Sequence, residues 1–154
     1  DAEPQLFHPG DLDYIHSVER ISKFSNVISI NGGVQLDLMG QENAESTGTR
    51  QLSGVGGQMD FLEGAYRSKG GKGFICINSS RVTKDGERKS NILATIPGGS
   101  TISAPRTMIQ YVATEYGIAS LSGKTLRERA EAMASIAHPD FREELMKYAQ
   151  ENFK

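Results

Sequence analysis

A chain of 154 residues with a formal net charge of −2, 37% hydrophobic and 23% charged residues, fits one globular α/β-sized domain and leaves little room for two. No apolar run approaches the roughly 20 residues of a membrane span, which excludes a membrane partner of that kind. The interspersed charges offer no general attraction to nucleic acid or acidic lipid, so any anion site has to be local.

In chain order, "DAEPQLFHPGDL" shows neither an initiator methionine nor a basic-then-apolar secretory pattern, and reads as the start of a mature product or a cut fragment. "DLDYIHSVERISKF" places Leu12, Ile15, Val18 and Ile21 near one helical face behind Asp11 or Asp13, which predicts a short amphipathic helix. "NVISIN" and "VQLDLMG" have strand spacing, with a tight connection expected at Asn31, Gly32 and Gly33. "SGVGGQ" follows as a glycine loop. Met59, Leu62, Ala65 and Tyr66 then recur at helical intervals until Gly70 and Gly71.

"GFICINSS" reads as a buried strand, and within it the single cysteine, Cys76, reads as a small buried hydrophobe rather than a reactive thiol. One cysteine excludes an internal disulfide and is compatible with a reducing, cytoplasmic setting. "TKDGERKS" is the clearest exposed turn, and "NILATIPGG" with "TISAPRTMIQYVATEYG" predicts two or three more strands around a Pro97–Gly99 loop. Thr125 and Glu128 have capping-box spacing ahead of an apolar stripe at Leu126, Ala130, Met133 and Ala137. Pro139 opens a last helix with Phe141, Leu145 and Tyr148 on one face. The pattern is α/β with terminal helices, a single domain over residues 1–154.

The glycine loop has two readings. Missing side chains let backbone amides approach an oxyanion or phosphate at a helix start, or they simply permit positive φ in a tight turn. A dinucleotide fingerprint fails because Met59 stands where the third glycine belongs, and a P-loop fails because Tyr66 replaces its first glycine and Gly73 its serine or threonine. His8, His16 and His138 lack paired metal spacing, so no metal is expected. Glu115, at the end of a strand run in "VATEYG", is either an exposed functional acid or one paired with a cation or amide. Arg50, Arg67, Lys69 and Lys72 flank the loop and its helix and could meet phosphates, although surface lysines usually serve solubility.

Taken together, "VISINGGVQLDLMGQ", "STGTRQ", "SGVGGQMDFLEGAYRSKGGK", "YVATEYGIASLSGKTLRERA" and "IAHPDFREEL" closely resemble the carboxy-terminal part of the acetyl-CoA hydrolase/transferase family, which includes the 4-hydroxybutyrate and acetate CoA-transferases. The resemblance implies a layered α/β domain with a central mixed, largely parallel sheet and flanking helices, packed in the complete enzyme against an amino-terminal domain and forming a homo-oligomer. It implies coenzyme A as substrate, an acyl-CoA and a short carboxylic acid as partners, and a glutamate nucleophile upstream of these residues that passes through a glutamyl-CoA thioester. Gly56 and Gly57, with the Asn31 amide, would then stabilise the thioester oxyanion; Gly54, Val55, Gln58 and Lys72 would contact CoA, and Glu115 would be a supporting acid. On this reading Gly57→Val impairs turnover far more than stability. An acetyl-CoA hydrolase domain, or a non-catalytic CoA-binding or docking module, are the competing expectations.

Overall fold

The computed structural model describes Glu3, Leu6 and residues 8–153. The helix expected near the start is two shorter ones, α1 (Leu12–Ile15) and α2 (Val18–Lys23). Ser17 makes the break, because its Oγ accepts the Arg20 N–H at 3.4 Å and caps α2. Of the four residues assigned to one apolar face, Ile21 is buried, whereas Leu12 and Ile15 are exposed.

The chain continues through β1 (Ile28–Gly32) and four short strands, β2 (Gln35–Asp37), β3 (Glu42–Asn43), β4 (Ser46–Thr47) and β5 (Arg50–Gln51), to the glycine loop and α3 (Gln58–Arg67). Next come β6 (Lys72–Cys76), the hairpin of β7 (Ser80–Val82) and β8 (Arg88–Ser90), and β9 (Ile92–Leu93). β10 (Tyr111–Thr114), β11 (Gly117–Ser120), α4 (Leu126–Ser135) and α5 (Pro139–Asn152) complete the order. The turn between β7 and β8 is the expected one at "TKDGERKS". α4 starts with the full capping box, Thr125 and Glu128 each accepting from the other's backbone amide, and α5 starts on Pro139.

The main sheet runs β1-β6-β10-β11, with β1, β6 and β10 parallel and β11 turned back antiparallel. β1 and β2 meet at the expected tight connection without forming a hairpin. The chain changes sheets there, since β2 pairs with β3 and β9 instead. Leu36 and Ile92 of this second sheet, and Leu38 just after β2, share one core with Leu62 of α3, Ile75, Val112, and Met133 of α4. α3 lies close on β6: a Cβ at Gly73 would sit 3.0 Å from Leu62 Cδ2. Thr114 at the end of β10 donates from its hydroxyl to Ile136 O at 2.7 Å, tying the sheet to the end of α4.

The helices cover one side of the main sheet only. Ser29, Gly73, Ile75, Val112 and Ala119 face them and are buried, whereas the alternate residues Ile28, Ile30, Cys76 and Ile118 point away and are exposed. Cys76 is thus exposed and not the buried hydrophobe that "FICIN" implied. A continuous apolar run predicts burial on both faces of a parallel strand, and among the described residues nothing lies over the second face.

Arg129, on the inner side of α4, is 8% exposed and has no carboxylate partner among the described residues. Its guanidinium donates to three backbone carbonyls, Met39 O at 2.8 Å, Leu121 O at 2.7 Å and Arg106 O at 2.8 Å. Burial pulls its pKa down and nearby Arg106 adds to that, while Asp37 supports the charge. Arg129→Met leaves three inward-facing carbonyls without donors and is expected to cost about 3 kcal/mol or more. Arg129→Lys, with one compact ammonium in place of the fork, should recover only part of this, as read from urea-denaturation midpoints.

Candidate functional site

The glycine loop, residues 52–57, leaves β5 and enters α3. Its start is fixed by the Leu52 and Ser53 amides, which both donate to Glu45 O, at 2.7 and 3.3 Å. Beyond that the loop stands clear, with Leu52 and Val55 more than half exposed. Among the described residues no side chain caps α3, so its first-turn amides and the positive end of the helix lie uncapped behind Gly57.

The three glycines serve different ends. Gly54 has open space where a side chain would project, and so does Gly56, whose φ of +60° is left-handed. Gly57 differs. A Cβ there would collide with the His16 imidazole, which also packs edge-on against Phe61 at 5.0 Å and lies 3.6 Å from Asp60. The expectation that Gly57→Val impairs turnover far more than stability meets this contact: a side chain at 57 fits only where the His16 imidazole moves aside. His16 was read from the sequence only as a failed metal ligand, since nothing local announces a contact across forty residues.

Gln58, the first residue of α3, donates from Nε2 to Glu42 Oε2. Glu42 is fully buried, and its Oε1 has no hydrogen-bond partner among the described residues. Burial pushes its carboxyl up to about 7, with the Gln58 hydrogen bond pulling the other way. The same Oε1 would lie 2.7 Å from a Cβ at Gly33, so Gly33 is glycine to make room for the acid. Sequence reasoning missed Glu42, because "GQENAES" looks like a polar loop and the pairing of Glu42 with Leu36 across β2 and β3 is not visible locally.

Gly33, Cys76, Ile77, Asn78, Ala113 and Thr114 line an open cleft of about 440 Å³ at the carboxyl ends of β1, β6 and β10. Ligands of open α/β sheets bind outside these ends. Asn31 is one turn of the pleat before this edge, with its Nδ2 committed to Ser29 Oγ at 2.8 Å. Glu115 accepts from both the Ser79 amide, at 2.9 Å, and the Ser79 hydroxyl, at 2.6 Å, and so braces the segment leaving β6. Burial raises its carboxyl, but the Ser79 hydrogen bonds, with its own backbone amide and His138, outweigh this and hold it below its ordinary value.

Glu42, which takes the Gln58 hydrogen bond and sits against Gly33, joins the start of α3 to this edge, with Gly54, Val55, Gly56 and Gly57 in the loop just before it and Asn31 close behind Gly33. Lys72 is not with them. It starts β6 at the opposite edge, about 13 Å away along the strand, as do Arg67, which pairs with Glu63, and Lys69. A second cleft of about 450 Å³ at that opposite edge is lined by Arg106, Lys124 and Thr125 among others. It is far from the glycine loop, and the guanidinium of Arg129 in its wall is already spent on carbonyls, so the loop edge is the better site. Among the described residues no group of three or more His, Cys, Asp and Glu side chains is placed to hold a metal, and no helix is long and apolar enough to cross a membrane.

The profile of a family described as "Acetyl-CoA hydrolase/transferase C-terminal domain" matches residues 2–149. The chain belongs to this family. It is 47% identical over 139 residues to a butyryl-CoA:acetate CoA-transferase of Anaerostipes caccae, covering 90% of this chain and 31% of that protein. It is 48% identical over 142 residues to a 4-hydroxybutyrate coenzyme A transferase of Clostridium kluyveri, covering 92% and 32%. The crystal structure of 4-hydroxybutyrate CoA-transferase from Porphyromonas gingivalis superposes with a TM-score of 0.72 at 40% identity, over 92% of this chain and 30% of that one. The chain thus spans about a third of the length of the curated relatives it matches. The family's α/β fold, with its mixed and largely parallel sheet, is the one described above.

Two outcomes test the site's construction. Below its ordinary value of 4.5, Glu42 is protonated folded and unfolded; between there and about 7 the unfolded chain loses the proton and the folded chain keeps it. Stability therefore falls as pH rises through that window, by about 3 kcal/mol. Denaturant titrations at pH 4 and pH 8 should show wild type losing about that much relative to Glu42→Gln, and parallel behaviour of the two proteins would refute it. Second, Gly57→Ala should destabilise by about 1–3 kcal/mol, with His16→Ala restoring most of the loss in the double variant.

Proposed function

We propose that these residues form the glycine-loop half of the active site of an acyl-CoA:carboxylate CoA-transferase of the acetyl-CoA or 4-hydroxybutyrate type. The observation that carries it is the uncapped start of α3 behind two open glycines, Gly54 and Gly56, beside the strand-end cleft, in a chain of this family. An acyl-CoA thioester laid over the loop places its carbonyl oxygen toward the amides at Gly56, Gly57 and Gln58. Those donors are fixed before the reaction, so charge growing on the oxygen meets oriented dipoles at no reorganisation cost.

The nucleophile is a glutamate outside these residues. Its carboxylate attacks the thioester carbonyl, the C–S bond breaks, and CoA thiolate leaves an acyl-glutamyl anhydride. The thiolate attacks the glutamyl carbonyl, releasing the first carboxylate and leaving a glutamyl-CoA thioester, which the acceptor acid opens by the same two steps in reverse. Glu42 suits this chemistry. Kept protonated up to about pH 7, it steadies Gln58 without setting a negative charge behind the developing oxyanion. Val55 and Leu52, apolar and exposed on the loop, offer contact to the pantetheine arm, and Glu115 acts at a distance by bracing the segment after β6.

Transfer is preferred to hydrolysis because both curated relatives described above carry transferase names. A hydrolase would differ only in letting water reach the glutamyl thioester. In the complete enzyme, acetyl-CoA incubated with labelled butyrate should yield labelled butyryl-CoA in excess of free CoA; free CoA alone would favour the hydrolase. Gly54→Val fills open space without backbone strain, so it should lower kcat/KM for acyl-CoA at least about tenfold, or about 1.4 kcal/mol, while leaving the denaturation midpoint unchanged. Unchanged kinetics in that variant would remove the loop from the thioester site.

A further inference from the structure

The uncovered side of the main sheet is organised. Across the strands one row reads Ile30, Phe74, Tyr111 and the next Cys76, Ala113, Ile118, by direct register. Ile30 is 69% exposed and Ile118 63%, and the Phe74 and Tyr111 rings stack at 4.8 Å along the first row. Parallel strands are covered on both faces in α/β proteins, and a contiguous exposed apolar patch of this kind marks an interface.

We infer that this face is the seat of the polypeptide that precedes these residues in the complete enzyme. The inference rests on reading the chain as one part of a longer protein, and three observations choose that occupant. The curated relatives extend over about three times the length matched, and the family description places the match at their carboxy-terminal end. The described residues before β1 are not the cover, because α2 packs on α3, against the other side of the sheet. The second row also runs into the cleft, since Cys76 and Ala113 belong to both. A body seated on Ile30, Phe74 and Ile118 therefore ends against the cleft, where it can deliver a side chain to the thioester that the glycine loop holds. Docking and assembly of the site are one event.

Cys76 reports on this directly, being exposed in these residues and central to the seat. In the complete enzyme without substrate, alkylation of Cys76 by N-ethylmaleimide, followed on its peptide by mass spectrometry, should be at least about 100-fold slower than in the same enzyme unfolded in urea. Alkylation at a rate within a few-fold of the unfolded enzyme would show the face bare and overturn the inference. Protection that disappears on dilution, in step with dissociation measured by sedimentation, would assign the face to a second copy and overturn it equally. The measurement uses no acyl-CoA, so its failure and the failure of the transfer assay are separate results.

Discussion

The buried guanidinium of Arg129 is the contact on which the arrangement of layers depends. Its three carbonyl partners belong to the turn after β2, the end of β11 and the segment before β10, so one side chain ties three parts of the chain at a single point. A hydrophobic contact could bring these segments near; a planar fork with fixed donor directions also helps to set their mutual orientation. Gly40 shows how tight the arrangement is. A Cβ there would lie 2.7 Å from Arg129 Nη2 and 2.8 Å from Leu121 Cδ1, and its φ of +86° requires glycine independently. Through β2 and β11 the clamp holds the small sheet against the large one, and with it Glu42 beneath Gln58.

Local signals in the chain were read well where a local cause determines structure. The capping box at Thr125, the proline start of α5, the turn at "TKDGERKS" and the strand, glycine loop, helix order all follow from residues within one turn of each other. Ser17 shows the limit: an apolar spacing that continues through a good N-cap looks like one helix until the cap wins. Cys76 shows another. Apolar continuity in β6 reports what the strand is built to meet, whereas exposure depends on whether that neighbour is among the residues present.

The site was legible as a loop and illegible as a constellation. Gly54, Gly56 and Gln58 announce themselves by spacing, and the resemblance of ordered blocks gave them a role. His16, Glu42 and Gly33 act through contacts made across the fold, and the reason for each glycine emerges only from what would occupy the missing Cβ. Lys72, five residues past the end of the loop's helix, stands at the opposite edge from the loop because a ten-residue helix carries the chain about 15 Å back along the sheet.

The one-sided sheet has a consequence for how such an enzyme comes into being. β1 and β6 pair across the whole insertion that carries β2 to β5 and α3, a non-local contact that forms late relative to hairpins and helix pairs. An apolar face exposed during that delay invites association between chains. On the inference drawn above, synthesis from the amino terminus removes the hazard, since a preceding body that seats on this face would leave the ribosome first and could be folded when Ile30 and Phe74 emerge. The order of two such parts would then act as an internal chaperone, and exchanging that order would expose the same residues to solvent for the full time the second part takes to fold.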